Sequence, residues 1–161
     1  MNKYEKTIEP LIVSGHLQAA INGSYMYPHR INLFIGTSCM FSCFFCGRNF
    51  DTSTSKNGFE MYKNIIREDD GQDPYRFGIS GGLEPLTNNK FNEICKELGD
   101  GGYKARLLTN GFLLTDKFIN KNDNLFSLDH IRVSIYGLTE DETFKTTKHS
   151  KAWKVVKNNL I

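Results

Sequence analysis

Three cysteines within eight residues constrain this chain more than any other feature of its sequence. Cys39, Cys43 and Cys46 follow one another with the spacing C-x3-C-x2-C. They come directly after an apolar, β-prone run, residues 31–35. Three thiolates on one short loop can converge on a small volume, and thiolates are ligands that suit zinc and iron–sulfur clusters. The segment therefore predicts a metal centre at the end of a strand.

The number of clustered cysteines narrows the kind of metal centre. A structural zinc site is closed by four protein ligands, and a ferredoxin-type cluster takes four cysteines. A 4Fe-4S cluster held by only three cysteines would have one iron open to a ligand from outside the protein. Such an iron is a binding site for a substrate or cofactor. Phe45, directly before the last cysteine, is expected to shield one side of this cluster from water.

The fourth cysteine lies far from the other three. Cys95 falls in a helix-like pattern over residues 91–98, and we interpret it as a small buried hydrophobic residue rather than as a fourth ligand. Two alternatives stay open on the sequence alone. One is a structural zinc module completed by Cys95 or a histidine, and the other is an iron–sulfur protein that only transfers electrons.

The size and charge of the chain limit the classes of protein to which it can belong. Its 161 residues are enough for one domain with a hydrophobic core, and no linker or internal repeat divides them. A formal net charge of +2 is too small to favour nucleic acid or an anionic membrane as a partner. The sequence shows no membrane-length apolar run and no signal-peptide core. Clustered thiols without a disulfide framework are typical of reducing compartments, so we expect a cytoplasmic protein.

β-prone runs alternate with helical patterns along the chain, which predicts parallel βα units. The predicted strands span residues 30–36, 75–80, 104–108 and 130–136. The predicted helices span residues 59–67, 87–98, 116–120, a short stretch after 139, and 151–161. A further amphipathic helix is predicted within residues 3–21, interrupted near Pro10 and Gly15. Residues 1–29 are therefore interpreted as an N-terminal extension, and residues 30–161 as the α/β core.

The segments best suited to binding a ligand follow the carboxyl ends of the four predicted strands. In a parallel βα array these ends form the active face. The cysteine loop, residues 81–86, residues 109–111 and the segment from Ser134 all fall there. Gly81 and Gly82 would let the backbone approach a ligand, and Glu84 adds a carboxylate. The sequence thus predicts one site shared by four loops.

Two of these segments have simpler explanations when each is taken alone. Thr-Asn-Gly around Asn110 is a common turn sequence. Strand alternation places Arg132, Ser134 and Tyr136 on one face, which indicates either a ligand-lined interior or a solvated edge strand. Only the neighbouring cysteine loop favours a role in binding for Asn110 and Ser134.

The pattern C-x3-C-x-aromatic-C at the end of the first predicted strand resembles the signature of the radical S-adenosylmethionine (radical SAM) enzymes. This resemblance implies a partial (β/α) barrel of α/β class, with parallel strands and here an N-terminal helical extension. It implies two cofactors, a 4Fe-4S cluster and S-adenosylmethionine (SAM). The implied metal ligands are Cys39, Cys43 and Cys46. The implied cofactor-binding residues are Phe45, Gly81, Gly82, Glu84, Asn110 and Ser134.

The resemblance also implies a reaction. Such enzymes take an electron from flavodoxin or ferredoxin and cleave SAM to methionine and a 5′-deoxyadenosyl radical, which abstracts hydrogen from a small-molecule substrate. No acid–base pair is needed for the cleavage, so no catalytic side chain is predicted. The strings 80–87 and 132–137 resemble members that act on sugar-type substrates. Leu83 departs from the family's Gly-Gly-Glu-Pro pattern as an extra residue, which makes the match of Glu84 less direct.

The resemblance covers residues 30–161 but only part of the usual core. The family's barrel has six βα units, and four are predicted here. The chain is therefore expected to be a piece of a longer protein or one half of an assembly, with a partner chain completing the barrel.

Overall fold

The computed structural model describes residues 15–47 and 58–161, which contain a sheet of four parallel strands. The strands are β1 (Ile31–Leu33), β2 (Phe77–Ile79), β3 (Arg106–Thr109) and β4 (His130–Val133). They lie side by side in the order of the sequence, and all three pairings are parallel. The predicted α/β class with parallel strands is confirmed.

Helices follow each strand in the described part of the chain. They are α1 (His16–Ile21), α2 (Gly58–Arg67), α3 (Phe91–Asp100), α4 (Asp116–Lys121), α5 (Glu140–Thr147) and α6 (Ala152–Asn159), with 3-10 turns at Pro85–Thr87 and Asp123–Ser127. None of these helices is long and apolar enough to cross a membrane. Of the predicted N-terminal helix, the part near Pro10 lies outside the described residues, and Gly15 directly precedes α1 with a φ of 75°.

The strands are shorter than the sequence predicts. β4 ends at Val133 instead of residue 136, because beyond that point the sheet continues only through the Ser134 N–H, which donates to the Thr109 carbonyl at 2.9 Å. The helix predicted from residue 87 begins at Phe91, because the chain first forms a 3-10 turn. Asn88, at the end of this turn, donates its side-chain amide to the Ile35 carbonyl at 2.7 Å.

The hydrophobic core lies between one face of the sheet and the helices α2 and α3. Alternate strand residues supply one side of it, among them Leu33, Ile79 and Leu107, which are almost fully buried. Helix residues at turn spacing supply the other side: Tyr62, Ile66, Phe91, Ile94 and Leu98. The intervening strand residues face the opposite side of the sheet. There Asn32 pairs in register with Gly78, and Gly78 pairs with Arg106.

Candidate cofactor site

A cavity of about 210 Å³ opens at the carboxyl edge of the sheet. Segments that follow all four strands contribute to its wall, as the parallel arrangement dictates. The structure brings together every site residue predicted from the sequence: Cys39, Cys43, Phe45, Cys46, Gly81, Gly82, Glu84, Asn110 and Ser134. The wall also contains residues that the sequence did not single out: Phe41, Leu83, Pro85, Leu108, Thr109 and Tyr136.

The start of the cysteine loop is tied to the turn that follows β2. The Thr87 hydroxyl accepts hydrogen bonds from the backbone N–H groups of Thr37 and Ser38, both at 3.1 Å. The Glu84 N–H donates to the Ser38 carbonyl at 2.9 Å. A short loop held by three such bonds presents Cys39 from a fixed backbone position.

The middle of the loop is held by the last turn of α5. The N–H groups of Ser42 and Phe44 donate to the carbonyls of Thr147 and Thr146, at 2.8 and 3.4 Å. These carbonyls belong to a helix C-terminus, where such groups otherwise lack partners. Phe41 is buried between these contacts and packs edge-on against Phe112. The cysteine loop is therefore anchored by two different βα units.

The three cysteine thiols converge on the cavity without forming a disulfide. Burial, with the neighbouring Cys39 and Cys46, raises the pKa of Cys43 to about 11. Burial also raises the pKa of Cys39, with Glu84 and Cys46 adding to the effect. Thiolates here would repel one another, so the arrangement favours a positively charged guest that accepts sulfur ligands.

The three thiols do not form a compact site for one metal ion. Across residues 15–47 and 58–161, no three His, Cys, Asp or Glu side chains lie close enough together to hold one metal ion. A lone zinc ion needs four ligands around one point. Cysteines that hold a 4Fe-4S cluster each bind a different iron, so they are spaced more widely. Three thiols on one cavity wall are donors of the type that such a cluster takes.

Cys95 takes no part in the cavity. It is fully buried within α3, and this burial raises the pKa of its thiol to about 12. The interpretation of Cys95 as a small core residue is confirmed.

Glu84 is a buried carboxylate with three hydrogen-bond donors. Its Oε1 accepts from the Leu86 N–H at 3.2 Å and from the Thr109 hydroxyl at 2.5 Å. Its Oε2 accepts from the Asn110 N–H at 2.9 Å. Burial raises the pKa of Glu84, and these three bonds oppose the rise. The carboxylate thus joins the turn after β2 to the end of β3, and Oε2 retains capacity for another donor.

Asn110 connects this carboxylate to the cysteine loop. Its side-chain amide donates to the Met40 sulfur at 3.1 Å and lies 3.8 Å from the Cys39 sulfur. Its side-chain oxygen accepts from the Phe112 N–H at 2.9 Å. Asn110 therefore contacts a predicted metal ligand directly, in addition to lining the cavity.

The two glycines after β2 are required by backbone geometry. Gly81 and Gly82 have φ values of 74° and 68°, in the left-handed region that side chains disfavour. A Cβ at Gly81 would also collide with the Phe34 ring. The extra Leu83 is buried and is accommodated by Gly36, whose missing Cβ would lie 2.5 Å from the Leu83 carbonyl carbon. The departure from the family pattern is therefore absorbed by a close backbone approach.

The Gly81→Ala substitution is expected to lower the free energy of unfolding by about 2 kcal/mol, as the sum of positive-φ strain and the clash with Phe34. Gly102→Ala is the matched control, because Gly102 has a φ of 76° but open space around it. It should cost only about 1 kcal/mol. Urea unfolding of both variants measures the difference, and equal losses would contradict the clash.

Tyr136 is the clearest site residue that the sequence did not assign. Its ring packs against Phe41 and Phe45, and burial raises the pKa of its hydroxyl. The signal was present, since strand alternation already placed Tyr136 on the face of Ser134. Phe45 itself is 57% exposed and forms the outer wall of the cavity.

A parallel sheet with a three-cysteine loop at its carboxyl edge defines a class of cluster-binding α/β protein. The sequence model of the Radical SAM superfamily matches residues 33–160. This chain belongs to the radical SAM superfamily.

Two curated relatives show how the chain compares in sequence. It is 34% identical to dTDP-4-amino-4,6-dideoxy-D-glucose ammonia-lyase of Streptomyces venezuelae, over 98% of this chain and 33% of that protein. It is 28% identical to a probable GTP 3',8-cyclase of Metallosphaera sedula, over 65% of this chain and 33% of that protein. The chain spans about one third of the length of these relatives.

Solved structures support the fold. The structure of TYW1 with a lysine-pyruvate adduct gives a TM-score of 0.58 at 18% identity, covering 82% of this chain and 50% of that one. Streptococcus suis SuiB bound to the precursor peptide SuiA gives 0.61 at 15% identity, covering 96% and 34%. SuiB bound to S-adenosylmethionine gives a TM-score of 0.58 at 16% identity, covering 92% of this chain and 33% of that one. The sheet is therefore part of a radical SAM barrel, as the sequence predicted.

Proposed function

We propose that this chain is the cofactor-binding part of a radical SAM enzyme that acts on a small molecule of the nucleotide-activated sugar type. The observation that carries the proposal is the convergence of three free thiols, a left-handed glycine pair and the polar ends of two strands on one cavity. When bound, the 4Fe-4S cluster and SAM supply reductive cleavage of SAM to methionine and a 5′-deoxyadenosyl radical that abstracts hydrogen from the substrate.

Different residues would bind the cluster and SAM. Cys39, Cys43 and Cys46 would hold the cluster, and three protein ligands would leave one iron open to SAM. The backbone of Gly81 and Gly82 lies on the cavity wall in a left-handed conformation that glycine allows, and there it can bind the methionine end of SAM.

Polar groups nearby complete the SAM contacts. The free capacity of the Glu84 Oε2 suits an ammonium donor. Ser134 and the Tyr136 hydroxyl lie on the same wall and suit a ribose.

Aromatic side chains keep water out of this site. Phe41 is buried at the base of the loop, and Phe45 and Tyr136 stack across its outer side, with ring centroids 5.9 Å apart. Exclusion of water protects reactive intermediates from side reactions.

The substrate class rests on sequence similarity. The 34% identical relative is named for a dTDP-linked amino sugar, and the similarity covers 98% of this chain. The chain spans a third of that relative, and we propose that a partner chain completes the barrel. Residues 30–161 would be the core, residues 1–29 an extension, and flavodoxin or ferredoxin the electron donor in the cytoplasm.

The test is anaerobic reconstitution with iron and sulfide, followed by addition of dithionite and SAM. We expect an iron-replete sample to release 5′-deoxyadenosine, measured by liquid chromatography with mass spectrometry, and a sample without dithionite to release none. A reducible cluster that yields no 5′-deoxyadenosine would contradict the enzyme and favour an electron-transfer protein. Zinc bound in place of iron would contradict both.

A further inference from the structure

The sheet face opposite the helices carries two arginines on adjacent strands. Arg106 on β3 pairs in register with Gly78, and Arg132 on β4 pairs with Leu108. Residues paired in register point to the same face, so Arg106 and Arg132 share the face of Asn32. Arg106 is half-buried and Arg132 is exposed on this face in the described part of the chain.

Neither arginine makes a hydrogen bond or ion pair with any residue in 15–47 or 58–161. Burial lowers the pKa of Arg106, and the positive charges of Arg30 and Arg132 lower it further. Asp129, which directly precedes β4, is already engaged with the His130 ring at 3.0 Å. Among residues 15–47 and 58–161, positive charge is thus gathered here without an ion-pair partner.

Gly78 fixes where Arg106 lies. A Cβ at Gly78 would meet the Arg106 Nε at 3.3 Å and the Asn32 side-chain oxygen at 3.0 Å. The Arg106 side chain therefore lies across β2 in close contact with Gly78, where a Cβ would be crowded. An arginine held against the sheet in this way has lost much of its side-chain freedom before any ligand binds.

The arginines lie beside the cofactor cavity. Leu108 and Ser134 line that cavity, and each is two residues beyond Arg106 or Arg132 on the same strand face. Two residues along a strand correspond to about 7 Å. If one group of a ligand is bound by the arginines, the group attached to it can extend into the cavity.

We propose that Arg106 and Arg132 bind the diphosphate of a nucleotide-activated sugar and so direct the sugar into the cofactor cavity. Each planar guanidinium group can donate two parallel hydrogen bonds to phosphate oxygens. Two such groups on neighbouring strands can therefore bind two linked phosphates. This assignment rests on the proposed function for the identity of the sugar, whereas the diphosphate site itself does not depend on the cluster.

Titration calorimetry of the 161-residue chain with inorganic pyrophosphate and with thymidine diphosphate tests the site. We expect saturable binding that weakens as salt rises. Arg106→Gln and Arg132→Gln should each weaken it by about 10-fold or more, since each removes charged hydrogen bonds. Arg106→Lys should retain part of the affinity, because it keeps the charge but loses the fork.

Lys154→Gln is the matched control, since it removes one positive charge from an exposed position on α6. It should leave binding unchanged within about 2-fold. Thermal unfolding of each variant shows whether the fold is retained. No saturable binding by a folded chain, or equal weakening in Lys154→Gln, would overturn the diphosphate site.

The two proposals fail separately. A chain that binds pyrophosphate but releases no 5′-deoxyadenosine retains the diphosphate site and loses the radical SAM reaction. A chain that cleaves SAM but does not bind pyrophosphate or thymidine diphosphate retains the reaction and loses the site.

Discussion

Replacing any one of Cys39, Cys43 and Cys46 with alanine is expected to abolish stable cluster binding. All three thiols line one cavity, and across residues 15–47 and 58–161 no other cysteine lines it. A 4Fe-4S cluster held by three cysteines has one iron without a protein ligand. Loss of one of these cysteines would expose a second iron to solvent. We expect iron and sulfide per chain to fall at least 10-fold after anaerobic reconstitution and desalting. Release of 5′-deoxyadenosine should fall to the level of a sample without reductant.

Cys95→Ala is the matched control for this experiment. It removes a buried thiol from the core rather than from the cavity, so it should cost about 1 kcal/mol of stability and leave the iron content unchanged. Iron retained by Cys43→Ala at the wild-type level would show that Cys43 is not a ligand. Iron lost equally from Cys95→Ala would show that loss of stability, rather than loss of a ligand, explains the result.

The location of the site could be predicted because it depends on chain order and strand direction. Parallel strands place their carboxyl ends on one edge, so residues as distant as Cys39, Gly81, Asn110 and Ser134 had to meet there once the strands were recognised. The cysteine spacing identified the chemistry of that edge. Neither inference needed side-chain coordinates.

Strand lengths and capping could not be predicted from the same patterns. Ile35 is fully buried although it lies beyond β1, so its hydrophobicity is indistinguishable from that of a strand residue. Asn88 lies within the helix predicted from residue 87, but its side-chain amide donates to the carbonyl of Ile35, 53 residues earlier, and the helix begins at Phe91. The hydropathy of a residue predicts whether it is buried. The end of a strand instead depends on where hydrogen bonding to the neighbouring strand stops.

The shared position of Arg106 and Arg132 could not be predicted from the sequence either. Alternation within β4 was visible in the sequence, but the pairing of Gly78 with Arg106 depends on the register between strands. Only that register shows that Arg106 and Arg132 share a face and that Gly78 leaves room for the first of them.

Glu84→Ala is expected to give the largest loss of stability of any single substitution at the site that leaves the cysteines intact. Glu84 is 3% exposed, and its carboxylate accepts hydrogen bonds from the Leu86 N–H, the Thr109 hydroxyl and the Asn110 N–H. Each buried donor left without an acceptor costs about 1–3 kcal/mol. Removing a buried carboxylate also relieves the desolvation that raises its pKa, which offsets part of this cost. We expect the free energy of unfolding to fall by about 3 kcal/mol in urea.

Two further variants separate hydrogen bonding from burial. Glu84→Gln keeps the volume and one acceptor oxygen, so it should lose about half as much stability as the alanine variant. Glu93→Ala removes an exposed carboxylate paired with Lys90 on α3 and should change stability by less than about 0.5 kcal/mol. If Glu84→Ala unfolds at the same urea concentration as Glu84→Gln, the three donors do not depend on the carboxylate. The link between the turn after β2 and the end of β3 would then have to rest on backbone packing alone.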